Sequence, residues 1–315
     1  MPAIIILSIT SLLCFLMATM PSLTFLLAIV WGSVLILAAL LCQRWQIIVI
    51  FLINSGLLYS INGSASLLFY LAFFGMAALV MTLMIASRRD YYETQKWGVI
   101  TAVLGVSIFM GAVYLESGQI GIQDLEKQIN IYLQDSLKTY EDSGIMALYE
   151  EQGLNKAEVV QSFADMAGTI AKHLPAIYYL QAIVVIFLML LGAAWLSRKF
   201  KLERLKKRPY SQEIMPWQFV WVTIAGLSLW LWGREEMGLI YYIGSNILVV
   251  MVPISIYFGI AALVFKIKQQ SAGKKKWLTT GLVVLSVVFP LSAVIFFGLI
   301  GLFDALLDFR KMGLE

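Results

Sequence analysis

Charge, histidine, cysteine and proline are all scarce in this chain. Only 13% of its 315 residues are Asp, Glu, Lys or Arg, against about 25% in a soluble domain. Hydrophobic residues make up 60% and mean hydropathy is +0.84, so the chain has too little polar surface to cover itself in water. A soluble enzyme is excluded. The single His173 rules out paired-imidazole metal sites. Cys14 and Cys42 both lie inside apolar runs, which excludes a disulfide framework. There is no Gly-rich phosphate loop ending in Lys-Ser/Thr, no nucleophile elbow and no Cys-x-x-Cys. No enzyme activity, cofactor or metal is expected. The start, Met-Pro-Ala-Ile-Ile-Ile, lacks the basic residues of a cleavable signal, and Ala3–Met20 is nearly long enough to span a bilayer.

What the chain has in abundance is long apolar runs. A spanning helix needs about 20 such residues. Nine runs approach that length: 3–20, 24–42, 46–60, 67–86, 98–115, 175–197, 217–233, 239–265 and 277–303. The expected fold is therefore an all-α polytopic membrane protein of about nine transmembrane helices. The third run is the weakest, because Asn54-Ser55-Gly56 interrupts it, and Ile61-Asn62-Gly63-Ser64-Ala65-Ser66 separates it from the fourth. Four segments follow: N-terminal membrane helices over 1–115, an acidic insertion over 116–172, C-terminal membrane helices over 173–303, and an amphipathic tail over 304–315.

Net charge is +4, distributed unevenly: 116–172 carries −6 and the remainder +10. Short Lys/Arg-rich loops stay cytoplasmic. Arg44, then Arg88, Arg89 and Lys96, the seven basic residues between Arg198 and Arg208, and Lys266 to Lys276 all fall in alternate loops. The expected home is a bacterial cytoplasmic membrane, with 116–172 and Arg234-Glu235-Glu236 outside. With nine spans the first residue lies inside and the last outside. The basic residues form no continuous face, so nucleic acid is not an expected partner; anionic lipid is. In the insertion, Ile122, Leu125, Ile129, Leu133, Leu137 and Tyr140 recur at helical spacing. A short helix over Ile145–Glu151 and a third opened by an Asn155/Glu158 capping box complete a helical hairpin resting on the bundle.

Polar groups inside the spans are the candidate ligand-binding residues, because an unpaired polar group in hydrocarbon is costly. Asn54 and Asn246 lead, followed by Tyr59, Ser245 and Gln181. Asn and Ser also serve as interhelical glue, the plainer reading. At the C-terminus, Asp304 and Asp308 stand one helical turn apart, a carboxylate pair for a pocket mouth or simply part of an interfacial helix with Arg310 and Lys311 as local ion partners. His173 reads as an interfacial polar residue. Trp217, Trp221, Trp230, Trp232, Tyr241 and Tyr242 read as an aromatic belt.

The C-terminal half carries Leu174-Pro175, then Met215-Pro216-Trp217-Gln218-Phe219-Val220-Trp221, Asn246, Tyr257-Phe258-Gly259-Ile260-Ala261 and Gly301-Leu302-Phe303-Asp304…Asp308-Phe309-Arg310. In this layout the chain resembles the YybS-like family of bacterial inner-membrane proteins, itself distantly similar to the S components of energy-coupling-factor transporters. The resemblance implies a helical bundle with a small-molecule pocket opening outward. Many relatives carry Gln where this chain has Phe258, and the 116–172 segment is additional to a six-helix S component. The expected function is non-enzymatic binding, and movement, of a small solute. The alternative is a structural or assembly protein that docks a protein partner, or a second copy, through 116–172 or the basic loops.

Overall fold

The computed structural model describes residues 2–117, 139, 143, 156–200, 202 and 205–310. Most of the expected hairpin, including the stripe from Ile122 to Tyr140, the helix at 145–151 and the Asn155 cap, lies outside the described residues. The rest is helical: α1 Pro2–Thr19, α2 Thr24–Ala38, α3 Arg44–Tyr70, a π-helical turn Leu71–Gly75, α4 Met76–Ala86, α5 Tyr91–Ser117, α6 Lys156–Lys172, α7 Leu174–Lys199, α8 Gln218–Trp232, α9 Leu239–Lys268, α10 Ala272–Val288 and α11 Pro290–Leu307. The described residues contain seven helices long and apolar enough to cross a membrane, with Gln218–Trp232 as a shorter apolar helix. This is an all-α polytopic membrane protein, because only helices satisfy every backbone hydrogen bond internally over such apolar stretches.

The chain divides into two compact units, 1–207 and 208–315. α7, expected among the C-terminal membrane helices, packs with the N-terminal ones: Ser33 Oγ donates to the Met189 carbonyl at 3.0 Å, and Gly32 abuts the Met189 side chain.

The apolar stretch from Arg44 to Ala86 is helical on both sides of Gly63, where the backbone leaves the helical region and the chain folds back on itself. Phe51 and Tyr70 lie 19 positions apart, about 28 Å along a straight helix, but their rings stack at 6.3 Å. The reversal is at Gly63, whose φ of 76° only glycine adopts without strain. The separator at 61–66 is thus a tight turn between two arms, and Asn62 Nδ2 pins it by donating to the Ala18 carbonyl at 3.0 Å. The first arm runs parallel to α1, since Ser11 meets Asn54 and Ala18 meets Asn62. The π-helical turn and α4 then pack antiparallel to α5, with Ala72 of the turn against Gly105 and Met81 of α4 against Gly98.

In the second unit, small residues bring backbones together. Gly226, Gly233 and Gly244 join α8 to α9 antiparallel, while Gly259 and Gly301 join α9 to α11 at the Ser255 and Phe297 carbonyls. The ninth expected run, 277–303, is two helices. Phe289 leaves the helical region (φ −129°, ψ 65°) and Pro290 opens α11. Lys266 Nζ bonds the Phe309 carbonyl, so α9 and α11 run parallel and α10 must carry the chain back between them. No residue of α10 is buried within the chain, and Trp277 and Val287 are 80% and 76% exposed.

Candidate functional site

The core of the first unit gathers aromatic rings from three chain segments. Trp31 of α2 meets Tyr70 edge-on at 5.2 Å and Phe51 at 6.4 Å; Phe74, in the π-helical turn, packs edge-on against Tyr70 at 5.0 Å. That turn inserts directly after Tyr70, and such bulges re-aim side chains, often at functional sites. Gly75 makes room for the ring, since a methyl group there would stand 2.7 Å from the Tyr70 edge.

Polar atoms are embedded in this apolar setting. Asn54 lies one turn from Phe51, fully buried, and its Oδ1 accepts from Ser11 Oγ at 3.0 Å. Among the buried side-chain atoms with no hydrogen-bond partner within the protein are the donors Trp31 Nε1, Asn54 Nδ2 and the Tyr70 hydroxyl, together with the Ser55 hydroxyl next to Asn54 in the chain. Burying an amide or hydroxyl unpaired costs about 1–3 kcal/mol, so three in one cluster are a demand for an acceptor that the chain does not supply.

The second unit holds a contrasting case, a buried ion pair whose two members answer each other. Arg310, 5% exposed, donates through Nε and Nη2 to Asp304 (2.9 and 2.6 Å), through Nη1 to the Ser211 carbonyl at 2.8 Å and through Nη2 to the Glu213 carbonyl at 2.6 Å. Tyr257 donates to the Glu213 carboxylate, and Tyr210 donates to the Tyr257 carbonyl at 2.7 Å. Burial, and behind it the Glu213 carboxylate, push the Tyr210 hydroxyl up to about 12. The cluster clamps the end of α11 to the 210–213 segment.

The expected site residues are dispersed. Asn54, Tyr59 and Gln181 fall in the first unit and Ser245, Asn246, Asp304 and Asp308 in the second. Tyr59 is 56% exposed on the flank of α3, and Gln181 is half-buried in α7. Ser245 Oγ and Asn246 Nδ2 both donate to the Tyr242 carbonyl of their own helix, at 3.2 and 2.7 Å. Asp304 faces Arg310, while Asp308 is exposed at the end of α11 with left-handed backbone (φ 42°), so the two carboxylates do not share a site. His173 Nδ1 donates to the Thr169 carbonyl at 2.8 Å. Among the described residues no group of three His, Cys, Asp or Glu is placed to hold a metal. A cleft of ≈ 370 Å³ lies at the turn between α8 and α9, lined by Trp232, Glu235, Glu236 and Leu239, away from every expected site residue.

Residues 8–305 match one family model, described as Predicted membrane protein (DUF2232). The chain belongs to this family. The match takes in both helical units and ends just beyond Asp304, and the family description names a membrane location without a reaction or ligand. No curated protein matches the chain, and no solved structure does either.

Trp31 and Tyr70 were invisible as site residues in the sequence. An aromatic in an apolar run reads as core, and only the three-dimensional count of partners shows that its N–H or O–H is left over.

Proposed function

We propose that this protein binds a small solute inside its N-terminal unit, at the cluster of Trp31, Asn54 and Tyr70, as a non-enzymatic membrane component. One observation carries the reading: three unanswered donors in the same buried cluster, where neighbouring hydrocarbon offers no acceptor. The arms before and after Gly63 give the site a way to open, since Phe51 and Tyr70 stand on opposite sides of that turn. The likeness to YybS-like proteins and to transporter S components supplies the role, capture of a solute for passage across the membrane. Purified protein screened by thermal unfolding tests it, because a ligand that binds only the folded state stabilises by mass action. A stabilising solute whose effect disappears in Asn54→Leu is expected; a library that stabilises nothing, or acts equally on Asn54→Leu, overturns the reading.

The membrane placement follows from charge. The chain lies in the bacterial cytoplasmic membrane with its Lys/Arg-bearing helix ends inside and 116–172 outside. Because α10 and α11 are separate passes, α11 returns to the end that carries Lys266 and Lys268. On this reading Asp304 and Arg310 lie on the cytoplasmic side, whereas nine spans would leave the C-terminus outside.

A further inference from the structure

Resting on that reading, we infer that the ligand of the Trp31–Asn54–Tyr70 site is a neutral, flat molecule bearing carbonyl or ring-nitrogen acceptors. Charge decides the first part. Between Met1 and Arg88 the only charged side chain is Arg44, at the first position of α3, so α1, α2 and both arms flanking Gly63, α4 included, hold no counter-ion within the core. An ionised guest would be desolvated with nothing to neutralise it. Donor chemistry decides the second. The indole N–H donates and cannot accept, and Asn54 has committed its oxygen to Ser11, leaving its NH₂. The Tyr70 hydroxyl is the third unanswered donor. The guest must therefore accept, repeatedly. Ring geometry decides the third. Trp31, Phe51, Tyr70 and Phe74 present aromatic faces and edges on segments that the turn at Gly63 allows to part, and a planar guest replaces ring-to-ring contact with stacking.

This chemistry arrives by either of two routes, as a quinone-like ring dissolved in the bilayer or as an uncharged heterocycle from water. Full-length protein in detergent is heated with four probes. These are 2,3-dimethyl-1,4-naphthoquinone (fully substituted, so it does not arylate Cys14), 1,3-dimethyluracil, naphthalene and 2-naphthoate. At least one of the first two raises the unfolding temperature. Naphthalene, lacking acceptors, and naphthoate, carrying charge, bind on the order of tenfold more weakly or not at all. Stabilisation by the quinone alone assigns a membrane-borne ligand, by the uracil alone a water-borne one. Tyr70→Phe, which keeps the ring, and Trp31→Phe, which leaves a smaller aromatic ring without the N–H, each weaken binding on the order of tenfold. The inference is overturned if naphthalene or naphthoate stabilises as well as its carbonyl counterpart, if the two Phe variants bind the probes unchanged, or if no probe stabilises. A charged solute that stabilises wild type but not Asn54→Leu overturns the ligand class and leaves the binding reading standing.

Discussion

Trp31→Phe and Tyr70→Phe separate a stabilising contact from a binding one. Each removes a buried donor that nothing answers and retains a ring against Phe51. Without ligand, Tyr70→Phe unfolds at the wild-type temperature or above, by up to about 1–3 kcal/mol of relieved desolvation, whereas Trp31→Phe also opens a void that offsets its gain; a clear loss of stability in Tyr70→Phe would contradict the assignment. Arg310 behaves in the opposite way. Arg310→Met strands the Asp304 carboxylate, 3% exposed, and costs about 3–5 kcal/mol. Adding Asp304→Leu recovers most of that loss in thermal unfolding. Tyr210 sets an alkaline limit. Its folded value near 12 exceeds the ordinary 10.0, so its contribution is complete below pH 10, where both states hold the proton. It is lost as pH rises through 12, because unfolding then releases the proton first. Tyr210→Phe removes that part of the alkaline transition.

Among the elements, glycine contacts decide which helices lie close enough to touch. Gly105 sits on the Ala72 carbonyl, whereas Gly111, on the same helix, has open space where a side chain would go. Gly105→Ala forces α5 away from the π-helical turn and lowers the unfolding temperature. Gly111→Ala leaves it unchanged or raises it, since alanine favours helix by about 1 kcal/mol. Much of this level was readable beforehand. Seven of the apolar runs begin and end near a helix boundary or turn, and the 61–66 break was visible because Asn, Gly and Ser punctuate it. The reversal between α10 and α11 was hidden because Phe289-Pro290 lies in an unbroken apolar stretch, where hydropathy registers no turn. Asn54 stood out as a polar residue in a greasy run, but its partner Ser11 comes from α1 and Trp31 from α2, and Tyr70 stands beyond the turn at Gly63, so none shares a spacing with it.

On the scale of the whole molecule, lipid is the solvent of most of the surface. Leu26, Leu52, Ile108, Val287 and Leu291 are among the many large apolar side chains that face outward, an arrangement stable against acyl chains and unstable in water. If the folded-back arms of 44–86 and the helices α10 and α11 each cross, as proposed above, the crossings are even in number and both ends of the chain are expected on the Lys/Arg side. In a variant with Cys14 and Cys42 replaced, Ser143→Cys reacts with an impermeant thiol reagent in intact cells. Ser271→Cys and a C-terminal tag are reached only after the membrane is opened. An externally accessible tag would remove α10 or α11 as a crossing.

The most direct measurement is an experimental density map of the protein extracted with its native lipids, at a resolution that shows side-chain rings. Non-protein density flat against Trp31 and Tyr70, within hydrogen-bonding distance of Asn54 Nδ2, is the predicted result. Closed rings with the three donors met by ordered water would contradict a ligand site in this core.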